Sequence, residues 1–189
     1  MVASTQSTPK ISLTEFLQLP ETKPASEYID GQVYQKPMPQ GEHSTIQIEL
    51  ASAINRVGKP QKLAYAFTEL RCTFGGGSIV PDIAVFEWQH IPLLANGRIA
   101  NKFEIHPDWT IEILSPKQRP NRVIRKISLC LQQGTKLAWL IDPEDDSVTI
   151  FQPNQLPELK EAQDILPVLE VLKDWQLPAA QLFSWLSFA

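Results

Sequence analysis

Two carboxylates interrupt apolar runs in this chain. Asp82 stands in Ile79-Val80-Pro81-Asp82-Ile83-Ala84-Val85-Phe86, and Glu112 in Thr110-Ile111-Glu112-Ile113-Leu114-Ser115-Pro116. Each run reads as a core strand, and a charge buried there without a partner is costly. A lysine or a metal ion is the usual partner. If the two strands are neighbours, both carboxylates converge on one cation, and hard oxygen donors suit Mg2+ or Mn2+. Magnesium usually takes only one or two protein carboxylates and keeps several waters. That open coordination suits phosphate-ester hydrolysis, where the metal polarises a phosphoryl oxygen and acidifies a bound water.

Such a reaction also gains from a cation beside the developing negative charge. Lys126 is the candidate, because it lies between the apolar residues Ile124 and Ile127 on the helix expected after the Glu112 strand. Lys117, Arg119, Arg122 and Arg125 surround it and form a possible contact surface for DNA phosphates. Simpler roles exist for each group. Asp82 fits a turn cap after Pro81, Glu112 a structural ion pair, Lys126 a solvated helix position, and the basic run a solvated helix start.

The elements that must position these groups can be read along the chain. Residues 1–10 are polar and read as disordered. Ser12-Leu13-Thr14-Glu15 fits a capping box opening a short helix through Leu19. Glu27 to Tyr34 reads as a hairpin turning at Asp30-Gly31. Residues 37–42 read as loop. Ile46, Leu50, Ile54 and Val57 share one face of a helix over about residues 43–58. Residues 63–74 read as one strand, Gly75-Gly76-Gly77 as a turn, and the Asp82 run as the next strand. After a loop over 88–107 come the Glu112 strand, a helix over 121–133 closed by Gly134, and a hairpin of Lys136–Ile141 with Ser147–Phe151. Two short helices, near 167–175 and 178–187, end the chain. This order predicts an α/β (α+β) fold with a mixed central sheet flanked by helices.

Composition narrows the function classes. The 189 residues carry 43% hydrophobic and 20% charged residues and a net charge of −4, which suits one soluble domain without a globally basic surface. His43, His90 and His106 are far apart and form no HExxH pattern, so no zinc site is expected. Cys72 and Cys130 lack CxxC spacing and fit a reduced, cytoplasmic protein. No signal peptide or membrane span is evident, and Gly75-Gly76-Gly77 lacks the pattern of a phosphate-cradling loop.

Several short motifs, taken in order, resemble one family. They are Glu27-Tyr28-Ile29-Asp30-Gly31, Lys36-Pro37-Met38-Pro39 with His43, Pro81-Asp82, Glu112-Ile113-Leu114-Ser115-Pro116, Lys126, Gly134 and Trp139-Leu140-Ile141-Asp142-Pro143. Over about residues 25–152 they resemble the Uma-type restriction endonuclease family of the PD-(D/E)XK nuclease superfamily. The Leu-Pro-Val-Leu-Glu and Gln181–Leu186 segments are similar to an extension found in some members.

The resemblance implies a restriction endonuclease-like core over 11–152, with residues 153–189 a helical extension packed on that domain or on a dimer partner. It implies Asp82 and Glu112 as metal ligands, with the Ile113 carbonyl as a further ligand. The superfamily's lysine position falls on Leu114, and Lys126 stands where this family carries the lysine instead. Glu27 and Gln47 match recurrent positions with an auxiliary role. Arg122 has no acidic neighbour and position 130 is Cys where many members carry Tyr, so the helix departs from the common pattern. The activity implied is Mg2+-dependent DNA cleavage by a homodimer. Two other readings stay open: a catalytically silent nuclease-fold module for nucleic-acid binding or assembly, and another metal-dependent enzyme such as a resolvase or a nuclease acting on RNA.

Overall fold

The computed structural model describes residues 11–116 and 118–188. The segment 1–10, read above as disordered, lies outside the described residues, as does Lys117. The chain forms helix α1 (Leu13–Gln18), the hairpin β1 (Ser26–Ile29) and β2 (Gln32–Gln35), helix α2 (Gly41–Gly58), and strands β3 (Ala64–Thr68), β4 (Cys72–Phe74), β5 (Gly77–Ile79), β6 (Ile83–Glu87) and β7 (Trp109–Ile113). Helix α3 (Pro120–Gln132), strands β8 (Leu137–Asp142), β9 (Ser147–Phe151) and β10 (Glu158–Glu161), and helix α4 (Ala179–Ser184) complete it.

The strands form two sheets. The larger has the order β10-β9-β8-β7-β6-β3, and the smaller β2-β1-β5-β4. In the larger sheet only β7 and β8 run parallel, joined by α3 as a crossover, and the other neighbours are antiparallel. This is the expected mixed sheet with flanking helices. Alternation along β7 divides its residues between two layers. Trp109, Ile111 and Ile113 join the core under α2, with Ile46, Leu50 and Ile54. Thr110 and Glu112 face the opposite side, where Leu114 packs with Val123 and Ile127 of α3. Glu112 is therefore an in-sheet residue directed toward the α3 layer.

Local chemistry explains the ends of several elements. Ser12 Oγ accepts from the Glu15 amide at 3.2 Å while Glu15 Oε2 accepts from the Ser12 amide at 2.7 Å, closing the capping box of α1. The β1–β2 hairpin turns with Asp30 at φ 52° and Gly31 at φ 76°, the left-handed pair its two-residue loop requires. Helix α2 begins at Gly41, two residues before the position expected from its apolar stripe.

Two strand expectations need correction. Residues 63–74 are not one strand: β3 belongs to the large sheet and β4 to the small one. Glu69, at φ 51°, turns the chain between them, and its amide donates to the Asp82 carbonyl at 3.3 Å. The run 79–86 also divides. The chain leaves the small sheet at Ile79 and joins the large one at Ile83, with Val80-Pro81-Asp82 crossing the seam. Pro81 has no amide to offer a ladder, which suits a break. Asp82 is thus a junction residue, not a mid-strand one.

The tail differs as well. Residues 158–161 form an edge strand, so the segment after 152 is not wholly helical. The helix expected near 167–175 is a single 3-10 turn at Glu170–Leu172, and α4 is shorter than expected. Leu166, Leu169, Leu172, Leu177, Leu182 and Phe183 enter the same core as Trp109 and Trp139. Trp139 Nε1 donates to the Pro167 carbonyl at 3.0 Å. The amphipathic tail covers this chain's own sheet.

Candidate active site

The sheet register brings the two opening carboxylates together. Ile83 pairs with Ile111, so the next step outward sets Asp82 opposite Glu112. The Ile113 amide donates to Asp82 Oδ2 at 2.8 Å. Both carboxylates are 3% exposed, and both line a cleft of about 980 Å³ with Ile113, Glu27, Lys36, His43, Glu69 and Lys126.

Lys126 reaches back from α3 to this place. Its Nζ lies 2.6 Å from Glu112 Oε2 and donates to Glu27 Oε1 at 2.9 Å. Glu27 Oε1 also accepts from the Val80 amide at 2.8 Å, which ties the hairpin to the seam. Position 114, the superfamily's lysine position, is a leucine buried under α3. An ammonium nevertheless stands beside Glu112, supplied from the helix one layer above.

Asp82 carries a second set of partners that the sequence reading left unassigned. Lys36 Nζ, just past β2, donates to Asp82 Oδ1 at 2.7 Å, to Glu69 Oε1 and Oε2 at 2.9 and 3.0 Å, and to the Val80 carbonyl at 3.0 Å. His43, in the first turn of α2, brings Nε2 to 3.2 Å from Asp82 Oδ2. Gln47 lies one helical turn further. It braces the site from behind, its Nε2 donating to the Asp82 carbonyl at 2.8 Å and to Glu69 Oε1 at 3.0 Å.

Electrostatics separate the two carboxylates. Burial raises the carboxyl of Asp82, but Lys36, His43 and Lys126 override it and hold it well below the usual range. Burial dominates at Glu112 and pushes its carboxyl up to about 8, against the opposing pull of Lys126, with Asp82 and Glu27 adding to the rise. Burial alone would lower Lys126, yet Glu112, Glu27 and Asp82 together raise it, so it remains a cation. Lys36 is raised for a similar reason: burial is the largest influence and acts downward, and Asp82, Glu112 and Glu69 together outweigh it.

The donor set fits a divalent cation. Glu112 Oε2 is held by Lys126, while Glu112 Oε1 is buried without a hydrogen-bond partner among the described residues. Buried carboxylate oxygens are rarely left unpaired. Among the described residues of the buried cluster, three carboxylates, Glu27, Asp82 and Glu112, share two ammonium groups, those of Lys36 and Lys126, with His43 beside Asp82. Added positive charge at Glu112 Oε1, from a proton or a metal, restores the balance.

The basic residues are distributed unevenly. Arg119 and Arg122 line the cleft, and the Arg122 guanidinium sits 5.3 Å from the centre of the Tyr34 ring. Arg125 is exposed and does not line the cleft. Lys117 falls outside the described residues.

A second cluster lies at the opposite end of the same strands. Glu87 ends β6, Asp108 precedes β7, and His90 follows in a 3-10 turn; one ligand atom from each lies within 4.8 Å of the others. His90 Nδ1 is 2.8 Å from Asp108 Oδ2, which also accepts from the Glu87 amide at 2.8 Å. Lys136 Nζ lies 2.6 Å from Glu87 Oε1 and 3.3 Å from Asp108 Oδ1. The half-exposed Lys136 ammonium and the Glu87 amide already occupy these carboxylates, so they read as a structural network. Glu87, His90 and Asp108 stand 3 to 21 residues apart, and no spacing rule exposes them.

The functional neighbours missed by sequence reasoning are Lys36, Glu69 and a contacting role for His43. Lys36 and His43 stood within a family-like motif, which was the available signal. Glu69 depends on a strand break that the apolar pattern around it hides.

The Uma2 family, described as "Putative restriction endonuclease", matches residues 13–180, extending past residue 152 into the tail. Among solved structures the chain is similar to a protein from Anabaena variabilis ATCC 29413 described as "a putative nuclease belonging to DUF820". The two share 54% identity and a TM-score of 0.92, over 94% of this chain and 99% of that one. The search of curated proteins returned no match. Among the described residues, no helix is long and apolar enough to cross a membrane.

Proposed function

This chain belongs to the Uma2 family, and from that premise we propose that it is a Mg2+- or Mn2+-dependent DNA endonuclease that hydrolyses phosphodiester bonds. The observation that carries the metal is Glu112 Oε1, which has no hydrogen-bond partner among the described residues of a buried cluster rich in carboxylates. Asp82 and Glu112 would hold the ion, with the Ile113 carbonyl as a third protein ligand. When bound, the metal supplies Lewis-acid polarisation of the phosphoryl oxygen and an acidified water.

The chain's own residues do the rest. The Lys126 ammonium, fixed between Glu112 and Glu27, orients the attacking water and stabilises the charge that develops on the phosphoryl group. Asp82 remains ionised at every physiological pH because Lys36 and His43 support its charge. Glu27 and Gln47 are auxiliary: one fixes Lys126 and the other fixes the Asp82 backbone. Arg119 and Arg122 bind backbone phosphates along the cleft. A homodimer would place two such clefts on opposite strands of a duplex, and two buried, unpaired cysteines suit a cytoplasmic setting.

The test is conversion of supercoiled plasmid to nicked or linear DNA with Mg2+, Mn2+ or a chelator. Cleavage that needs the metal and disappears in Asp82→Ala, Glu112→Ala and Lys126→Ala supports the reading. Full activity in all three variants overturns it. Metal binding without cleavage of any DNA or RNA supports the silent module instead.

A further inference from the structure

Lys36 has an unusual setting for a lysine. Its side chain is 10% exposed, and Nζ lies within 3.0 Å of four oxygens: Asp82 Oδ1, both carboxylate oxygens of Glu69, and the Val80 carbonyl. An ammonium has three protons to donate, so four oxygen neighbours outnumber its hydrogen bonds. Two carboxylates and a carbonyl are also the hard oxygen donors that Mg2+, Mn2+ and Ca2+ prefer. Asp82 belongs to this shell through Oδ1 and to the Ile113 and His43 side through Oδ2. The shell is therefore adjacent to the metal position assigned to Asp82 and Glu112, and shares Asp82 with it.

We propose that Lys36 is a resident cation standing where a second divalent ion would bind, so that this site takes up one metal ion, not two. The inference rests on the metal reading of Asp82 and Glu112 given above. Gln47 maintains the shell by holding Glu69 Oε1 and the Asp82 carbonyl with one amide. Glu69 itself is held at the site by the left-handed turn that ends β3. The fixed ammonium supplies positive charge on the far side of Asp82 whatever the metal concentration, and its strong ion pair keeps Asp82 ionised. Lys36 is in this sense a positioning residue acting through Asp82.

Counting bound Mn2+ by electron paramagnetic resonance and calorimetry tests this without any turnover. The expected result is one ion per chain in the wild type and in Lys36→Arg, and two in Lys36→Met and Lys36→Ala. The added ion should disappear again when Lys36→Met is combined with Glu69→Gln. Circular dichroism establishes that each variant is folded. One ion in a folded Lys36→Met overturns the proposal and leaves the Asp82–Glu112 site intact. Two ions in the wild type overturn it too, and that measurement stands even if the variants fail to fold. No ion in the wild type overturns the metal reading itself and this inference with it.

Discussion

Lys126 Nζ lies 2.6 Å from Glu112 Oε2, joining helix α3 to the central strand β7 of the large sheet through a buried ion pair. The same ammonium is 2.9 Å from Glu27 Oε1, so one cation serves two carboxylates. Removing one partner of a buried pair leaves an uncompensated charge and typically costs about 3–5 kcal/mol. Lys126→Ala should lower unfolding free energy by that order in urea titrations above about pH 8, where Glu112 is ionised. Adding Glu112→Gln to it should recover part of the loss, because the stranded charge is then gone. A loss below about 1 kcal/mol for Lys126→Ala, the scale of a surface pair, contradicts the compensating role.

Glu112 should make the metal-free protein lose stability as pH rises. Its carboxyl is raised from 4.5 to about 8 by burial. Between those values the folded chain holds a proton that the unfolded chain has released, so the contribution is complete below pH 4.5 and fades up to about 8. Thermal or urea unfolding across this window, in chelator, should show a decline that Glu112→Gln flattens. A wild-type profile identical to that of Glu112→Gln rules out the raised carboxyl.

Metal should reverse that trend. A ligand that binds only the folded state at 100 times its dissociation constant stabilises it by about 2.7 kcal/mol. Mn2+ should raise the unfolding midpoint of the wild type and not of Asp82→Asn or Glu112→Gln. Equal shifts in all three proteins place the ion elsewhere.

The cluster of Glu87, His90 and Asp108 should prove structural. Asp108→Ala leaves the buried Glu87 amide without its acceptor, a loss of about 1–3 kcal/mol. Metal-dependent nicking and Mn2+ binding should persist in the folded variant. Loss of Mn2+ binding there, with the fold retained, transfers the metal centre to that cluster.

The two arginines of the cleft should differ from the one outside it. Arg119→Ala and Arg122→Ala should each weaken DNA binding and reduce the slope of log affinity against log salt by about 1. Arg125→Ala should change neither, as it does not line the cleft. Equal effects from all three, measured by fluorescence anisotropy on a catalytically inactive background, contradict the proposed phosphate path.

What could be read from sequence followed physical periodicity. The α2 stripe, the strand carrying Glu112 and the α3 crossover all repeat apolar residues at the spacing of their element, and the β1–β2 turn is marked by Asp30-Gly31. Strand β10 did not show, because Glu158-Leu159-Lys160-Glu161 is an edge with little buried on either face. The two strand breaks did not show either. Apolar residues continue through both, and the decisive signals are the left-handed turn at Glu69 and the missing amide at Pro81. Asp82 and Glu112 were legible as charges in apolar surroundings. Lys36 and Glu69 were not, because their meeting across 33 residues depends on one of those breaks.

The passage of the chain between sheets at Val80-Pro81-Asp82 has a mechanical consequence. Asp82 is covalently part of the strap leaving the small sheet and is hydrogen-bonded to Ile113 in the large one. The two sheets therefore share an axle at the site itself. Lys36 is bonded to Asp82 and so belongs to that axle, and any widening of the cleft would leave Lys36, Asp82 and Glu112 together and fall to the exposed Pro37-Met38-Pro39 rim beyond them. The mouth could then yield to a bulky substrate while the groups bonded at the seam keep their spacing.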